Sequence, residues 1–245
     1  MYVNTTGIVL RETAYKDSSK ILTILTADEG KLTVSARGAL RRNSKLAAAS
    51  QLLVFSEMTL LCSRDRWTMT EARSIEQFAG LRDSVGLLAL GAYFVELTEA
   101  VADEDSPNRE LLPLVLNALY ALSEKIRTPE FVKAAFELRL MAISGFSPML
   151  DGCAMCGARE PEESILNLEG GRIVCSNCNV ADGAALGRGA LHAARYILSC
   201  ESKRLFSFKL SEQELHGLSA ATEGYLLMQL DRNFRALDYY KVTAD

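Results

Sequence analysis

The chain has 245 residues, 49% of them hydrophobic and 24% charged, enough apolar material for one large or two modest packed domains. With five scattered prolines, this balance argues against a long disordered stretch, and the net charge of −4, taken alone, argues against a nucleic-acid partner. The first 17 residues have no basic-then-apolar pattern ending in a small-residue cleavage site. The longest apolar run, Val85 to Val101, is interrupted by Glu96 and Glu99 and does not read as a membrane span. A soluble, cytoplasmic protein is expected. The charge is unevenly placed: residues 1–80 hold 11 Lys/Arg and 8 Asp/Glu, a net +3, and the remainder carries −7. Lys31, Arg37, Arg41, Arg42 and Lys45 fall in one stretch without an acidic residue. A basic part joined to an acidic part suggests that only the first faces phosphate.

Residues 5–76 read as β structure. Gly7-Ile-Val-Leu10 and Lys20-Ile-Leu-Thr-Ile-Leu-Thr26 are the first two strands, and Asp28-Glu29-Gly30 is a tight turn into Lys31–Ala36. Leu52–Leu61 and Trp67–Ile75 supply the fourth and fifth. Five short strands with one longer excursion between the third and fourth fit an OB-type barrel, and an SH3-like barrel has similar statistics. Past Phe78 the apolar period lengthens to that of a helix, with Leu87, Leu88, Gly91, Phe94, Val95, Thr98 and Val101 on one face. Asp103-Glu104-Asp105 reads as its solvated end. Further helices are predicted over Pro107–Ile126, over Pro129–Ser144 with Thr128 as N-cap, and over Gly189–Cys200. Ser211-Glu-Gln-Glu214 is a capping box that opens a last helix reaching about Asn233. The fold class is therefore α+β. A small β-barrel over residues 1–79, OB-type or SH3-like, precedes a mainly helical domain over 80–245.

Cys153-Ala-Met-Cys156 and Cys175-Ser-Asn-Cys178 are two CxxC pairs separated by 18 residues, inside the spacing of zinc sites. A two-residue spacer lets both sulfurs of a knuckle reach one ion at about 2.3 Å, and two knuckles complete a tetrahedron. The module spans 151–180. It has few apolar residues, so an ion would replace a core. One structural Zn2+ per chain on Cys153, Cys156, Cys175 and Cys178 is the expectation; an iron–sulfur cluster uses the same thiolate set, and a redox dithiol is the third reading. Four thiolates leave no open position for catalysis. Cys62 and Cys200 read as buried thiols. No Gly-rich phosphate loop is present, His192 and His216 read as ordinary histidines on helices, and no catalytic set can be assembled, so no enzymatic activity is expected.

Three stretches together resemble the RecO recombination-mediator family of bacteria. The first is Gly7-Ile-Val-Leu10 with Tyr15, Asp17 and Lys20–Thr26. The second is Gly30-Lys31-Leu32 through Ala36-Arg37-Gly38-Ala39 to Arg41-Arg42 and Ser44. The third is Gly145-Phe-Ser-Pro-Met-Leu-Asp151 leading into Cys153-Ala-Met-Cys156-Gly157. The order and spacing match over essentially the whole chain. The chain departs from the commoner pattern at Gln51-Leu52-Leu53, where many relatives have a proline. The resemblance implies an OB domain, a helical domain and a zinc insertion whose metal is structural. It also implies binding of single- and double-stranded DNA, strand annealing, and loading of RecA onto DNA coated by single-stranded DNA-binding protein. Its implied partners are RecR and the acidic C-terminal tail of the coating protein, in the cytoplasm at the nucleoid.

OB barrels hold strands with a basic groove and aromatic platforms. The candidate DNA contacts are Lys31, Arg37, Arg41, Arg42 and Lys45, flanked by Lys16 and Lys20; the bland alternative is a solvated face. Tyr15, Phe55 and Trp67 are candidate stacking residues, and Arg127, Lys133 and Arg139 are candidate cations for a partner peptide. Rival readings are an RNA-binding or transcription factor with the same layout, and a protein scaffold without DNA contact.

Overall fold

The computed structural model describes residues 1–104, 106–178 and 182–243; Asp105, read above as part of a helix end, lies outside them. Five strands, β1 (Tyr2–Tyr15), β2 (Ser19–Thr26), β3 (Lys31–Ala36), β4 (Phe55–Ser63) and β5 (Arg66–Glu76), form a closed barrel in the order β1-β2-β3-β5-β4. A parallel contact between β3 and β5, with Val34 opposite Trp67 and Ser35 opposite Thr68, closes it. A meander would have left β4 between them. The observed order is that of an OB barrel, which separates it from the SH3-like alternative.

β1 is far longer than the short strand expected at Gly7–Leu10. It pairs with β4 from Tyr2 to Ile8 and with β2 from Gly7 to Tyr15, and a register shift between Val9 and Arg11 bends it from one sheet into the other. Inward residues Val9, Leu22, Ile24, Leu32, Val34, Met58, Leu60 and Met69 fill the barrel. The predicted turn forms on Gly30, at φ +72°, with the Thr26 amide donating to its carbonyl at 2.9 Å. At the Gln51-Leu52-Leu53 departure, Leu53 takes φ +69° and bonds back to Val9, so β4 begins at Phe55 rather than Leu52.

Helix α1 (Val85–Val101) is capped by Ser84, whose hydroxyl accepts from the Leu87 amide at 3.1 Å. Helix α2 (Leu111–Ser123) starts later than the expected Pro107. The reason is Pro113. A proline is tolerated only in a first turn, so a helix begun at Pro107 would lose a hydrogen bond and clash at its second. Helix α6 (Arg235–Thr243), which the sequence reading did not foresee, lies along α1, with the Phe234 and Tyr93 rings 5.9 Å apart. Met1–Glu124 and Phe234–Asp245 form one compact unit.

The other unit, Lys125–Asn233, holds α3 (Pro129–Ile143), α4 (Arg188–Ser199) and α5 (Glu212–Leu230). Thr128 and Ser211 cap α3 and α5 as the sequence predicts. Three short strands, β6 (Glu163–Asn167), β7 (Arg172–Cys175) and β8 (Ala184–Gly187), form a sheet in the order β7-β6-β8. It was not anticipated, because strands of four or five residues leave little alternation to read. Between α3 and α5, buried Lys133 bridges Glu137 at 2.9 Å and Glu223 at 2.8 Å, and Thr222 donates to Glu137 at 2.9 Å. Burial pushes the Lys133 ammonium toward neutrality, but the two carboxylates outweigh it and hold its pKa above the ordinary value. Lys133→Ala should therefore destabilise the protein by about 3–5 kcal/mol, because fully buried Glu137 loses its cation. Urea denaturation followed by circular dichroism checks this; a loss below about 1 kcal/mol would contradict it.

Candidate nucleic-acid interface and metal centre

Along β3 the side chains alternate: Leu32, Val34 and Ala36 are buried, Thr33 is exposed and Ser35 half-buried. Across the ladder, Ile21 lies opposite Ser35 and Thr13 opposite Ile21, while Thr68 of β5 joins on the other side. The outer face of β1, β2, β3 and β5 is thus a low surface of hydroxyl-bearing and β-branched residues. Long side chains stand at its edge. The excursion after β3 is tied to the β1–β2 turn, since the Gly38 amide donates to Ser19 Oγ at 3.3 Å and the Leu40 amide to the Ser18 carbonyl at 3.0 Å. This brings Arg37, Arg41 and Arg42 to the rim that carries Lys16, with Lys45 further along the same excursion; all five are exposed. Gly38, at φ +71°, makes the bend, and the Arg41 side chain folds over it, with Cδ and Nε each 3.4 Å from where a Cβ would stand. Lys16 sits 5.3 Å from the Tyr15 ring centroid, and Tyr15 is itself exposed. None of the five cations has a carboxylate partner among the described residues.

Two of the sequence candidates do not join them. Lys20 is half-buried, ion-paired with Glu12 and donating to the Ser50 carbonyl at 3.2 Å. Lys31 lies at the opposite end of β3, its Nζ donating to the Glu99 carbonyl at 3.1 Å in the last turn of α1. A cation there offsets the negative end of the helix, by about 0.3–1 kcal/mol. The Glu99 carboxylate itself pairs with Arg11 at 2.9 Å. Of the aromatic candidates, Trp67 packs against the barrel core and Phe55 is half-buried, which leaves Tyr15 open to a base. The sequence reading missed two exposed cations, Arg64 in the β4–β5 turn, where Arg64 and Asp65 have φ of 51° and 57°, and Arg66 at the start of β5. A two-residue connection between alternating strands was the available signal, and that loop flanks the binding face of OB barrels.

The candidate peptide-binding cations are also committed. Lys133 is in the buried cluster described above. Arg127 donates to the carbonyls of Phe206 and Phe208, and Arg139 to those of Ile197, Leu198 and Cys200 at the end of α4. All three hold the second unit together.

The four cysteine sulfurs lie within 4.8 Å of one another, with Cys156 and Cys175 at 3.7 Å. A tetrahedron with metal–sulfur bonds of about 2.3 Å has edges of about 3.8 Å, so the set fits one ion. Gly157, at φ +76°, lets the first knuckle fold back: its amide donates to the Cys153 carbonyl, and the Cys153 amide to the Ala158 carbonyl, each at 2.8 Å. The amides of Cys175 and Met155 donate to Cys153 Sγ at 3.3 and 3.4 Å. Hydrogen bonds from the Cys175 backbone and then the Cys156 backbone bring the Cys153 thiol down to about 6, whereas bonding to the Cys156 and Cys175 side chains pushes Cys178 up to about 12. Thiols this crowded become thiolates together only around a cation. His192 stands on α4. It pairs with Glu160, which Arg195 also holds at 2.8 Å, while Arg195 Nε donates to the Leu150 carbonyl at 2.8 Å and clamps the knuckle loop to α4.

Two family models match the chain: the recombination protein O N terminal over residues 1–78 and the recombination protein O C terminal over residues 82–238. The chain belongs to the recombination protein O family. Among its curated relatives, the DNA repair protein RecO of Acetivibrio thermocellus is 33% identical over 98% of this chain and 96% of its own length. The proteins of the same name from Alkaliphilus metalliredigens and Caldicellulosiruptor bescii are 30% and 29% identical, each over 98% of this chain. The N-terminal family segment ends just past the barrel, and the C-terminal one contains the four cysteines.

If the four sulfurs hold one ion, Cys175→Ser should lower bound metal from one equivalent per chain to less than half and reduce solubility. Elemental analysis of the purified protein checks this; full occupancy in the variant would contradict it.

Proposed function

We propose that this chain is a DNA-binding recombination mediator of recombinational DNA repair, working in the cytoplasm at the nucleoid. It anneals complementary strands and helps load RecA onto DNA coated by single-stranded DNA-binding protein. RecR and the acidic C-terminal tail of the coating protein are its protein partners. The observation that carries this reading is the set Lys16, Arg37, Arg41, Arg42 and Lys45: exposed, without carboxylate partners among the described residues, and carried by the β1–β2 turn and the excursion after β3 of an OB barrel. Single strands lie on such barrels along a basic track with bases against aromatic rings, and Tyr15 is the ring at hand. Phosphate contacts position a strand without reading its sequence, as an annealing protein requires. Base pairing supplies the driving force, so no nucleotide is hydrolysed and the protein is not an enzyme. The ion we assign to the cysteines is a structural Zn2+. Four thiolates and tetrahedral edges suit it, and a closed shell leaves no position for catalysis.

With five phosphate contacts on single-stranded DNA, log affinity should fall against log salt with a slope of about −3.5. Arg41→Ala with Arg42→Ala should flatten the slope by about 1.4 units, equally across sequences, while leaving the melting temperature nearly unchanged. Fluorescence anisotropy at several salt concentrations measures this. Wild-type affinity and slope in the double variant would contradict the assignment. Zinc analysis should give one equivalent, and an iron–sulfur absorption band would overturn that metal.

A further inference from the structure

The connection between α4 and α5 reads Lys203-Arg-Leu-Phe-Ser-Phe-Lys209, three cations and two aromatic residues with no acidic residue among them. Its backbone is held from below. Arg127 Nε donates to the Phe206 carbonyl at 2.9 Å and Nη2 to the Phe208 carbonyl at 3.3 Å. The Tyr196 hydroxyl donates to the Arg204 carbonyl at 3.0 Å and meets Ser207 Oγ at 2.8 Å. The Phe208 ring stacks on Phe131 with centroids 4.3 Å apart, and Leu205 is buried. The carbonyls of residues 204, 206 and 208, which would repel an anion, are thus turned onto internal donors. Lys203, Arg204 and Lys209 are left exposed, and none has a carboxylate partner among the described residues. The carboxylates of Glu201 and Glu212 flank the run and make no ion pair with it among the described residues, although the Arg204 amide donates to the Glu201 carbonyl at 2.8 Å.

Fixed cations on a backbone whose acceptors face inward, beside half-buried rings, have the composition of a phosphate track. We propose that the loop Lys203–Lys209 is a second nucleic-acid-binding surface, which holds one strand by its phosphates while the barrel holds another. It lies in the other compact unit from the barrel rim, so the two surfaces belong to separately packed bodies. That arrangement gives annealing two strand sites instead of one. The word second rests on the reading of the barrel above; the loop's affinity for phosphate does not.

The test uses the full chain with the triple substitution Lys203→Ala, Arg204→Ala and Lys209→Ala, and an oligothymidylate of about 12 nucleotides, within the usual length for one such site. Titration at low salt should show two oligonucleotides per wild-type chain and one per variant chain. The lost event should carry a salt slope of about 2.1 units, three contacts' worth. Annealing of complementary oligonucleotides should fall more than tenfold in the variant. The charge-preserving triple Lys203→Arg, Arg204→Lys and Lys209→Arg should bind like wild type, which separates charge from folding. A triple-alanine variant that keeps both events and normal annealing overturns the proposal, as does a polyglutamate peptide that binds the loop where oligothymidylate does not. If Arg41→Ala with Arg42→Ala leaves DNA binding intact while the loop variant removes it, the barrel reading fails and the loop stands.

Discussion

Two groups of cations in this chain differ in what they can offer a phosphate: one is bonded inward, to carboxylates and backbone carbonyls, and the other faces water with no acidic partner among the described residues. Lys20, Lys31, Arg127, Lys133, Arg139 and Arg195 belong to the first class, each joining segments distant in sequence. Lys16, Arg37, Arg41, Arg42 and Lys45 belong to the second, as do Lys203, Arg204 and Lys209. An inward cation has already exchanged its water for protein oxygen, so moving it to a phosphate would leave that oxygen unsatisfied. An outward one gains the phosphate and releases counterions at little structural cost. The net charge of −4 therefore says little about affinity for DNA.

The same economy appears in the cysteine module. Cys153, Val174 and Cys175 are its small buried cluster, with Cys178 packed against them. A cluster that size cannot offset the entropy of ordering two knuckles and a short sheet. An ion held by the four thiolates would supply that stabilisation locally, while Arg195 fixes the loop to α4 through the carbonyls of Leu150 and Asp151. The module and the buried Lys133 cluster both lie in the unit Lys125–Asn233.

Much of this could be read from the residues alone, and the rest could not for definable reasons. The expected ends of β2, β3, α3 and α5 fall within a residue or a few of those observed, because β-branched or alternating residues mark the two strands and a cap or turn residue marks where each element begins or ends. The CxxC spacing identified a site whose ligands are local in pairs. The parallel contact of β3 with β5 that makes the barrel an OB barrel joins residues more than thirty positions apart, and no local pattern encodes it. The second half of β1, Arg11–Tyr15, is exposed and so lacks the alternation that marks a strand. In sequence Lys31 looks no different from Arg41. Its partner is the Glu99 carbonyl, 68 positions away, and only the fold reveals it.

The division of cations can be measured in one experiment, by acetylating lysines with a water-soluble reagent in the presence and absence of single-stranded DNA and counting modification at each site by mass spectrometry. Lys16, Lys45, Lys203 and Lys209 should be modified readily in the free protein and protected by DNA. Lys20, Lys31 and Lys133 should resist modification in both states, because their amines are held by Glu12 and Ser50, by Glu99, and by Glu137 and Glu223. Ready labelling of Lys20 or Lys31 with protection by DNA, and no protection at Lys16 and Lys45, would contradict the account.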